Sequence, residues 1–326
     1  MNSENELISI IVPVYNAEKT IRQTLIELQN QEYKNIEIVL IDDGSTDASK
    51  NICEEIQKRD DRIKLYSIEN SGPSYARQYG LDRANGRYIA FCDADDTMEK
   101  TMMSTLIDLM HRNECQLSVC LFNRKTDNEM QYSDGNIEVW NQIEAIQHCL
   151  ADGTVGGFLW NKVFDLRIIK EYNIRFDEQV YYCEDMEFVV EYLLHCKKIV
   201  YIRRALYNYI YQEGSLSSGD FSWKKLTNVF ARVKILNLLK NTKLHEAIPL
   251  AKKELVLQSV YAGRSIEKAD ALKIENVTDK QFQAITSVIT QNCRKYGCGI
   301  LLNEKCSIKD KINIIRFGFL KKWKRN

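Results

Sequence analysis

The first hundred residues alternate between short apolar, β-branched runs and stretches of helical periodicity, and this alternation limits the fold more sharply than any other feature. Leu7–Val14, Ile36–Ile41, Ile63–Ile68 and Arg87–Phe91 read as strands, and between them Glu18–Gln29, Thr46–Lys58 and Ser74–Ala84 carry apolar residues at helical spacing. The βαβαβαβ order predicts an α/β fold, a mostly parallel mixed sheet covered by helices on both faces. In such sheets ligands gather at the carboxyl ends of the strands. That rule selects Pro13-Val14-Tyr15-Asn16, Asp42-Asp43-Gly44-Ser45, Glu69-Asn70-Ser71-Gly72 and Asp93-Ala94-Asp95-Asp96. All four are dense in polar or aromatic groups, where a purely structural crossover needs only turn chemistry.

The last of these loops places three carboxylates directly after a buried strand. In an extended continuation of that strand the side chains alternate, so Asp93 and Asp95 project the same way and can share a ligand. An oxygen-only pair suits a hard divalent ion such as Mg²⁺ or Mn²⁺, completed by phosphate oxygens. The competing reading is an acidic turn in which Asp95 or Asp96 caps a helix starting near Thr97.

Asp42 and Asp43 are expected to be exposed at a strand end, where a carboxylate can accept the ring N–H of a pyrimidine and Tyr15 can stack on the base. Gly44 permits a tight turn, and Ser45 or Thr46 can cap the following helix. Arg77 has a fork that fits a carboxylate or phosphate, although a lone surface arginine reads equally as solvated. In Cys183-Glu184-Asp185-Met186-Glu187 an acidic first turn complements the helix dipole, which accounts for Glu184 or Glu187 more readily than for Asp185. A carboxylate near a cation and a phosphate ester is well placed as a general base.

The remainder is expected to hold a helix over Met98–Met110, hairpin-like segments through Val139 and a short helix over Asn141–Leu150. A loop then spans Gly153–Gly157, followed by a helix over Glu184–Cys196, a strand over Ile199–Tyr211 and helices throughout beyond Gly219. A hydrophobic fraction of 44% with 28% charged residues excludes disorder. The ten cysteines lack zinc-site spacing and are expected as buried, inert thiols of a reducing compartment. Met1–Glu6 does not resemble a secretory signal, and no apolar run reaches membrane-spanning length, so a cytoplasmic location is expected. Formal net charge is zero, yet from Lys305 onward eight Lys and Arg stand against one Asp. Ile308–Lys324 mixes these basic residues with Ile312, Ile314, Ile315, Phe317, Phe319, Leu320 and Trp323. It reads either as a helix lying on an anionic membrane or as a final helix packed on an acidic body.

Taken together, Ile10–Asn16, Asp43-Gly44-Ser45-Thr46-Asp47, Gly72 with Ala76-Arg77 and Gly80-Leu81, Asp93-Ala94-Asp95-Asp96 and Glu184-Asp185 resemble family 2 glycosyltransferases of the Rossmann-like GT-A fold. The resemblance continues through Trp160-Asn161-Lys162, Phe176-Asp177, Tyr207-Asn208-Tyr209 and Ser215-Leu216-Ser217, roughly two-thirds of the chain. It implies a transferase domain over residues 1–218 and a helical region over 219–326. It further implies that Pro13, Tyr15, Asp43, Asn70, Arg77 and Asp93 surround a nucleotide-sugar, with Asp43 preferred over Asp42 for the base. Asp93 and Asp95 would form a DxD motif holding Mn²⁺ or Mg²⁺, and Asp185 would be the catalytic base. The implied reaction is inverting transfer from a nucleotide-sugar, UDP-linked by resemblance, to a glycan or lipid-linked acceptor in surface polysaccharide synthesis. No nucleic acid is expected among the partners. Processive members carry a QxxRW motif and membrane helices, and neither is found here. A catalytically degenerate scaffold for another transferase is the alternative, although no acidic motif is lost.

Overall fold

The computed structural model describes residues 6–124, 134–151, 155–210, 222–268, 278–302 and 306–323. The expected features at Gly153, Tyr211, Ser215–Ser217 and Lys324 lie outside them. The chain divides into two compact units, Met1–Gln179 with Phe188–Ser218 and Val180–Glu187 with Gly219–Asn326.

The first unit is organised by one mixed sheet. Strands β1 (Ile8–Val14), β2 (Ile36–Asp43), β3 (Ile63–Ile68) and β4 (Tyr88–Phe91) run parallel in the order β3-β2-β1-β4. Burial of β1, β2 and β4 along nearly their whole length explains why, apart from Ser9, Glu37 and the two aspartates that end β2, their sequences are apolar rather than alternating. Helices α1 (Ile21–Gln29), α2 (Ser49–Gln57) and α3 (Pro73–Leu81) make the crossovers. The chain winds from β1 out to β3 and then returns to β4 on the other side of β1. The ends of β1 and β4 therefore flank the crevice where strand order reverses.

Past β4 come β5 (Thr97–Met98), α4 (Met102–Asn113), β6 (Leu117–Arg124), β7 (Ile137–Asn141), α5 (Gln142–Leu150), β8 (Lys162–Asp165), α6 (Leu166–Glu171), α7 (Glu184–Leu193) and β9 (Lys198–Tyr209). Strand β8 lies antiparallel to both β4 and β6, and β6 is parallel to β9. The expected hairpin is not formed: β6 and β7 each pair with β9, which lies between them. Nor does a helix begin near Thr97, because Thr97 and Met98 pair with Asn208 and Tyr207 of β9 and α4 starts only at Met102. Asn141 heads α5 through a capping box with Glu144.

Gly80 is what lets α3 lie close on the sheet. A Cβ at this position would stand 2.6 Å from Ile11 Cγ2 and 3.3 Å from Ile41 Cγ1, both in the buried core. Glycine lowers intrinsic helix stability, but here it sets the depth at which α3, and Arg77 one turn earlier, sits against β1 and β2.

In the second unit, α8 (Trp223–Leu226), α9 (Asn228–Lys240), α10 (Ile248–Lys268), α11 (Asp279–Leu301) and α12 (Ile308–Ile315) bury Leu236, Leu239, Leu255, Val256, Ile285 and Ile289. No helix among the described residues is long and apolar enough to cross a membrane. All ten cysteines are free thiols; most are buried as expected, but Cys298 is exposed, and Cys115 and Cys183 are partly so.

Replacing Gly80 by valine should destabilise the protein by about 2 kcal/mol through overpacking against Ile11. Urea denaturation checks this, and an unchanged midpoint would show that α3 can lift from the sheet at no cost.

Candidate functional site

Loops at the carboxyl ends of the parallel strands are tied to one another rather than standing apart. Asn16, after β1, has φ 48 and bridges to the loop after β2: its amide donates to Ser45 Oγ at 3.1 Å, and its Oδ1 accepts from the Thr46 amide at 2.9 Å. Ser45 and Thr46 thus do not cap α2. Asp47 supplies that stabilisation instead, its carboxylate accepting from the Ser49 amide at 2.9 Å and from the Glu18 amide at 3.1 Å. Tyr15 is about half exposed beside this cross-link, and Pro13 is partly buried opposite Ile41.

Contrary to expectation, Asp42 and Asp43 are both buried. Their side-chain oxygens accept hydrogen bonds from backbone donors, as burial of a polar group demands. Asp42 Oδ1 accepts from the Ser45 amide at 3.2 Å, while Asp43 accepts from Ser71 N at 2.7 Å and Gly72 N at 2.9 Å, joining the loops after β2 and β3. Gly44 makes the approach possible: it has φ +69, and a Cβ would lie 2.8 Å from the Asn70 amide nitrogen. Asn70 is exposed at this junction.

At the end of β4 the acidic run turns. The Asp96 amide donates to the Asp93 carbonyl at 3.2 Å, so the segment is a tight turn and not the expected extended continuation. Arg77 of α3 reaches Asp93, Nη2 to Oδ1 at 3.1 Å, with the guanidinium largely buried. Asp95 is half-buried, and burial together with the neighbouring Asp93 charge pushes its carboxyl up to about 6. Asp96 is fully buried and neither caps a helix nor faces outward. Its carboxylate accepts from the Tyr207 hydroxyl at 2.8 Å and the Ile210 amide at 2.8 Å, and burial and the Asp93 charge hold its proton affinity well above the usual carboxylate range.

Tyr207 also accepts from the Asp93 amide at 3.2 Å and forms one layer of an aromatic stack. Trp160 lies between Phe158 (4.6 Å, 13°) and Tyr207 (4.5 Å, 14°), with Phe122 edge-on at 4.7 Å. Asn161 and Lys162 hold the loop that presents these rings. Asn161 Nδ2 donates to the Cys120 and Val155 carbonyls, and Lys162 Nζ donates to the Gly156 and Phe158 carbonyls and to Asn161 Oδ1. Sequence reasoning assigned no role to Tyr207 or Trp160, and to Asp96 only that of a helix cap. The available signal was a third carboxylate that alternation aims away from the other two and that therefore needs a buried donor.

Among the described residues no three His, Cys, Asp or Glu side chains converge as a ready-made metal cage. Asp93 and Asp95 fit a hard divalent ion as an oxygen-only pair that needs further oxygens from its ligand, since positive charge would offset the unfavourable ionisation of Asp95. Asp185 stands in the first turn of α7, its Oδ1 accepting from the Met186 amide at 2.8 Å, and this turn groups with the second unit. The structure therefore pairs Arg77 with Asp93, in the same turn as Asp95, and ties Asp43 to the Asn70 loop, within the first unit.

Because the folded-state pKa of Asp95 is raised, its contribution favours the fold at low pH and is lost as pH rises from the ordinary carboxylate range to about 6. In metal-free protein at pH 8, Asp95→Asn should accordingly be more stable than wild type by roughly 1–2 kcal/mol, with the gain vanishing near pH 4. Denaturant titrations at the two pH values check the sign; a variant less stable than wild type at pH 8 would mean that Asp95 is stabilised as an anion.

The sequence matches the family model described as glycosyl transferase family 2 over residues 9–172. Among curated relatives it is 32% identical over 211 residues to EpsH of Bacillus subtilis, covering 63% of this chain and 61% of that protein. It is 30% identical over 216 residues to the GalNAc(5)-diNAcBac-PP-undecaprenol beta-1,3-glucosyltransferase of Campylobacter jejuni, covering 65% of this chain and 67% of that one. The glycosyltransferase GlyA of Streptococcus pneumoniae is 32% identical over 228 residues, but the chain spans only 32% of its length. Of solved structures, TarS 1-349 of S. aureus in complex with UDP-GlcNAc superposes with a TM-score of 0.67 at 21% identity, covering 87% of this chain and 81% of that one. Mannosyltransferase PcManGT from Pyrobaculum calidifontis, in complex with GDP-Man and Mn²⁺, gives 0.56 at 14% identity over 95% of this chain and 85% of that one. At such identities the structural likeness speaks to the fold, which is GT-A. With half of its length matched by the family model, the chain belongs to glycosyl transferase family 2.

Proposed function

We propose that this chain is a metal-dependent, inverting, non-processive glycosyltransferase that moves one sugar from a nucleotide-sugar to a hydroxyl of a glycan or lipid-linked oligosaccharide. The observation that carries the reading is the Arg77–Asp93 ion pair beside half-buried Asp95, at the strand ends where the order of the parallel sheet reverses. A cation and a diphosphate complete that charge arrangement: Arg77 offers a fork to phosphate oxygens, and Asp93 and Asp95 offer two carboxylates to an ion. The UDP-GlcNAc and the GDP-Man with Mn²⁺ in the two structural neighbours support a nucleotide-sugar donor and a divalent ion, Mn²⁺ or Mg²⁺. The undecaprenol-linked substrate in the name of the Campylobacter relative supports a lipid-linked acceptor and a place in surface polysaccharide synthesis.

In this reading residues 1–218 form the transferase domain, and the nucleotide lies against Pro13, Tyr15, Asp43, Asn70 and Arg77. Half-exposed Tyr15 stacks on the base, and Asp43, whose carboxylate accepts from the Ser71 and Gly72 amides, lies on the same rim for the base N–H. Asp93 and Asp95 hold the ion, which when bound neutralises charge developing on the departing diphosphate. Asp185 accepts the proton of the acceptor hydroxyl. The hydroxyl oxygen then bonds to the anomeric carbon as the carbon–oxygen bond to the nucleoside diphosphate breaks, inverting the configuration.

The test is release of nucleoside diphosphate from UDP-, GDP- and dTDP-sugars with a lipid-linked acceptor, in Mn²⁺ or EDTA. Release from one donor should require the metal, and Asp185→Asn should bind nucleotide normally while losing transfer by about two to four orders of magnitude. Asp95→Ala should lose the Mn²⁺-dependent part of donor affinity in calorimetry. Substantial transfer by Asp185→Asn would overturn the base assignment, and nucleotide binding without turnover of any donor would favour a non-catalytic scaffold.

A further inference from the structure

Within the second unit, the tail after α11 has two apolar faces, and only one is used. Inward, Ile314 and Phe317 are fully buried against α10 and α11. Glycines form their sockets: a Cβ at Gly297 would stand 2.4 Å from Ile314 Cγ2, and one at Gly263 would stand 2.8 Å from the Phe317 ring. The Trp323 ring stacks on Phe317 at 5.4 Å and donates its N–H to Thr290 Oγ1 at 3.0 Å. The tail is therefore a docked, ordered element whose orientation is set by its neighbours.

Outward, Ile308, Ile312 and Ile315 follow the i, i+4, i+7 spacing of a single helical stripe, and Phe319 and Leu320 extend it. These side chains are open to solvent, Ile308 at 78%, Ile312 at 58% and Leu320 at 72%. Basic residues border the stripe: at helical spacing Lys311 falls on one side of it and Lys309 and Arg316 on the other. Asp310, the one acid among the described residues 306–323, is directed elsewhere, accepting from Ser307 and pairing with Arg264 at 3.7 Å. Glu267 of α10 faces Arg316 and Lys321, leaving Lys309, Lys311 and Lys322 to define the charge at the border.

We propose that this outward face docks on an anionic lipid surface, with the stripe entering the interface and the lysines meeting the headgroups. Exposed apolar residues on one face with lysines along both borders are what interfacial helices require. A second copy of the chain fits less well, because a two-fold contact through the same stripe brings like-charged borders together. The proposal goes beyond the transferase reading and does not depend on it, since vesicle binding is measured without nucleotide or acceptor.

The experiment is co-sedimentation of the full chain with phosphatidylcholine vesicles containing or lacking phosphatidylglycerol, at low and high salt, with sedimentation velocity of the protein alone. Wild type should bind the anionic vesicles, weakly or not at all the neutral ones, and release with salt. Replacing Lys309, Lys311 and Lys322 together by glutamate should weaken binding by at least about a hundredfold. Ile312→Glu with Phe319→Glu should abolish it while leaving the circular dichroism melt unchanged, as both positions are exposed. The salt titration of wild type tests the electrostatic part without any variant. No binding to anionic vesicles, or equal binding to both kinds, would overturn the proposal. So would self-association lost in the Ile312→Glu, Phe319→Glu variant without vesicle binding, which would make the face a contact between copies.

Discussion

Asp96 is buried where an unsatisfied carboxylate would be costly, and its two hydrogen bonds, from the Tyr207 hydroxyl and the Ile210 amide, tie the end of β4 to β9. Several features depend on that tie. It goes with the turn of the acidic run, in which Asp96 is buried in the protein while Asp93 and Asp95 are only partly buried. It positions Tyr207, whose hydroxyl accepts from the Asp93 amide and whose ring supports Trp160. Thr97 and Met98 are then drawn into pairing with β9, which delays the start of α4 to Met102.

The same geometry concentrates negative charge where water is scarce. Ionising Asp95 beside Asp93 is unfavourable, and Arg77 compensates for only part of the local charge. A site built in this way gains from a ligand that brings its own cation, which is the physical basis of the proposal that a diphosphate binds here with a divalent ion. The neighbouring loops already spend much of their polar capacity on one another, Asn16 on Ser45 and Thr46, Asp43 on Ser71 and Gly72. They form a braced rim whose shape does not await the ligand.

Much of the first unit was legible in the sequence because β1, β2 and β4 are buried on both faces and are mostly apolar, while the intervening helices carry one apolar stripe each. Their expected and observed limits differ by only a few residues. What could not be read depends on pairing between distant segments. A two-residue strand such as Thr97–Met98 has no periodicity of its own, and nothing local to Ile137–Asn141 says that its partner is β9 rather than β6. The functional loops followed the same division. Asp93, Asp95 and Arg77 were candidates from residue type and strand ends, and the structure pairs Arg77 with Asp93. The burial of Asp42 and Asp43 was missed because the amides bonded to them come from loop residues 3, 28 and 29 positions away. Trp160-Asn161-Lys162 was noticed as part of a buried segment, Phe158–Phe164, and as a family resemblance. Its physical content, a stacked ring on a loop held by Asn161 and Lys162, needed coordinates.

The central claim is that the turn after β4 binds a divalent cation jointly with a nucleoside diphosphate. The most direct measurement is the electron paramagnetic resonance signal of free Mn²⁺ titrated with the protein, with and without UDP or GDP, at pH 8. Wild type together with the cognate nucleotide should deplete the free signal more than protein or nucleotide alone, and Asp95→Ala should remove that excess. Depletion by protein and nucleotide that is merely additive, or an excess that survives in Asp95→Ala, would contradict the account.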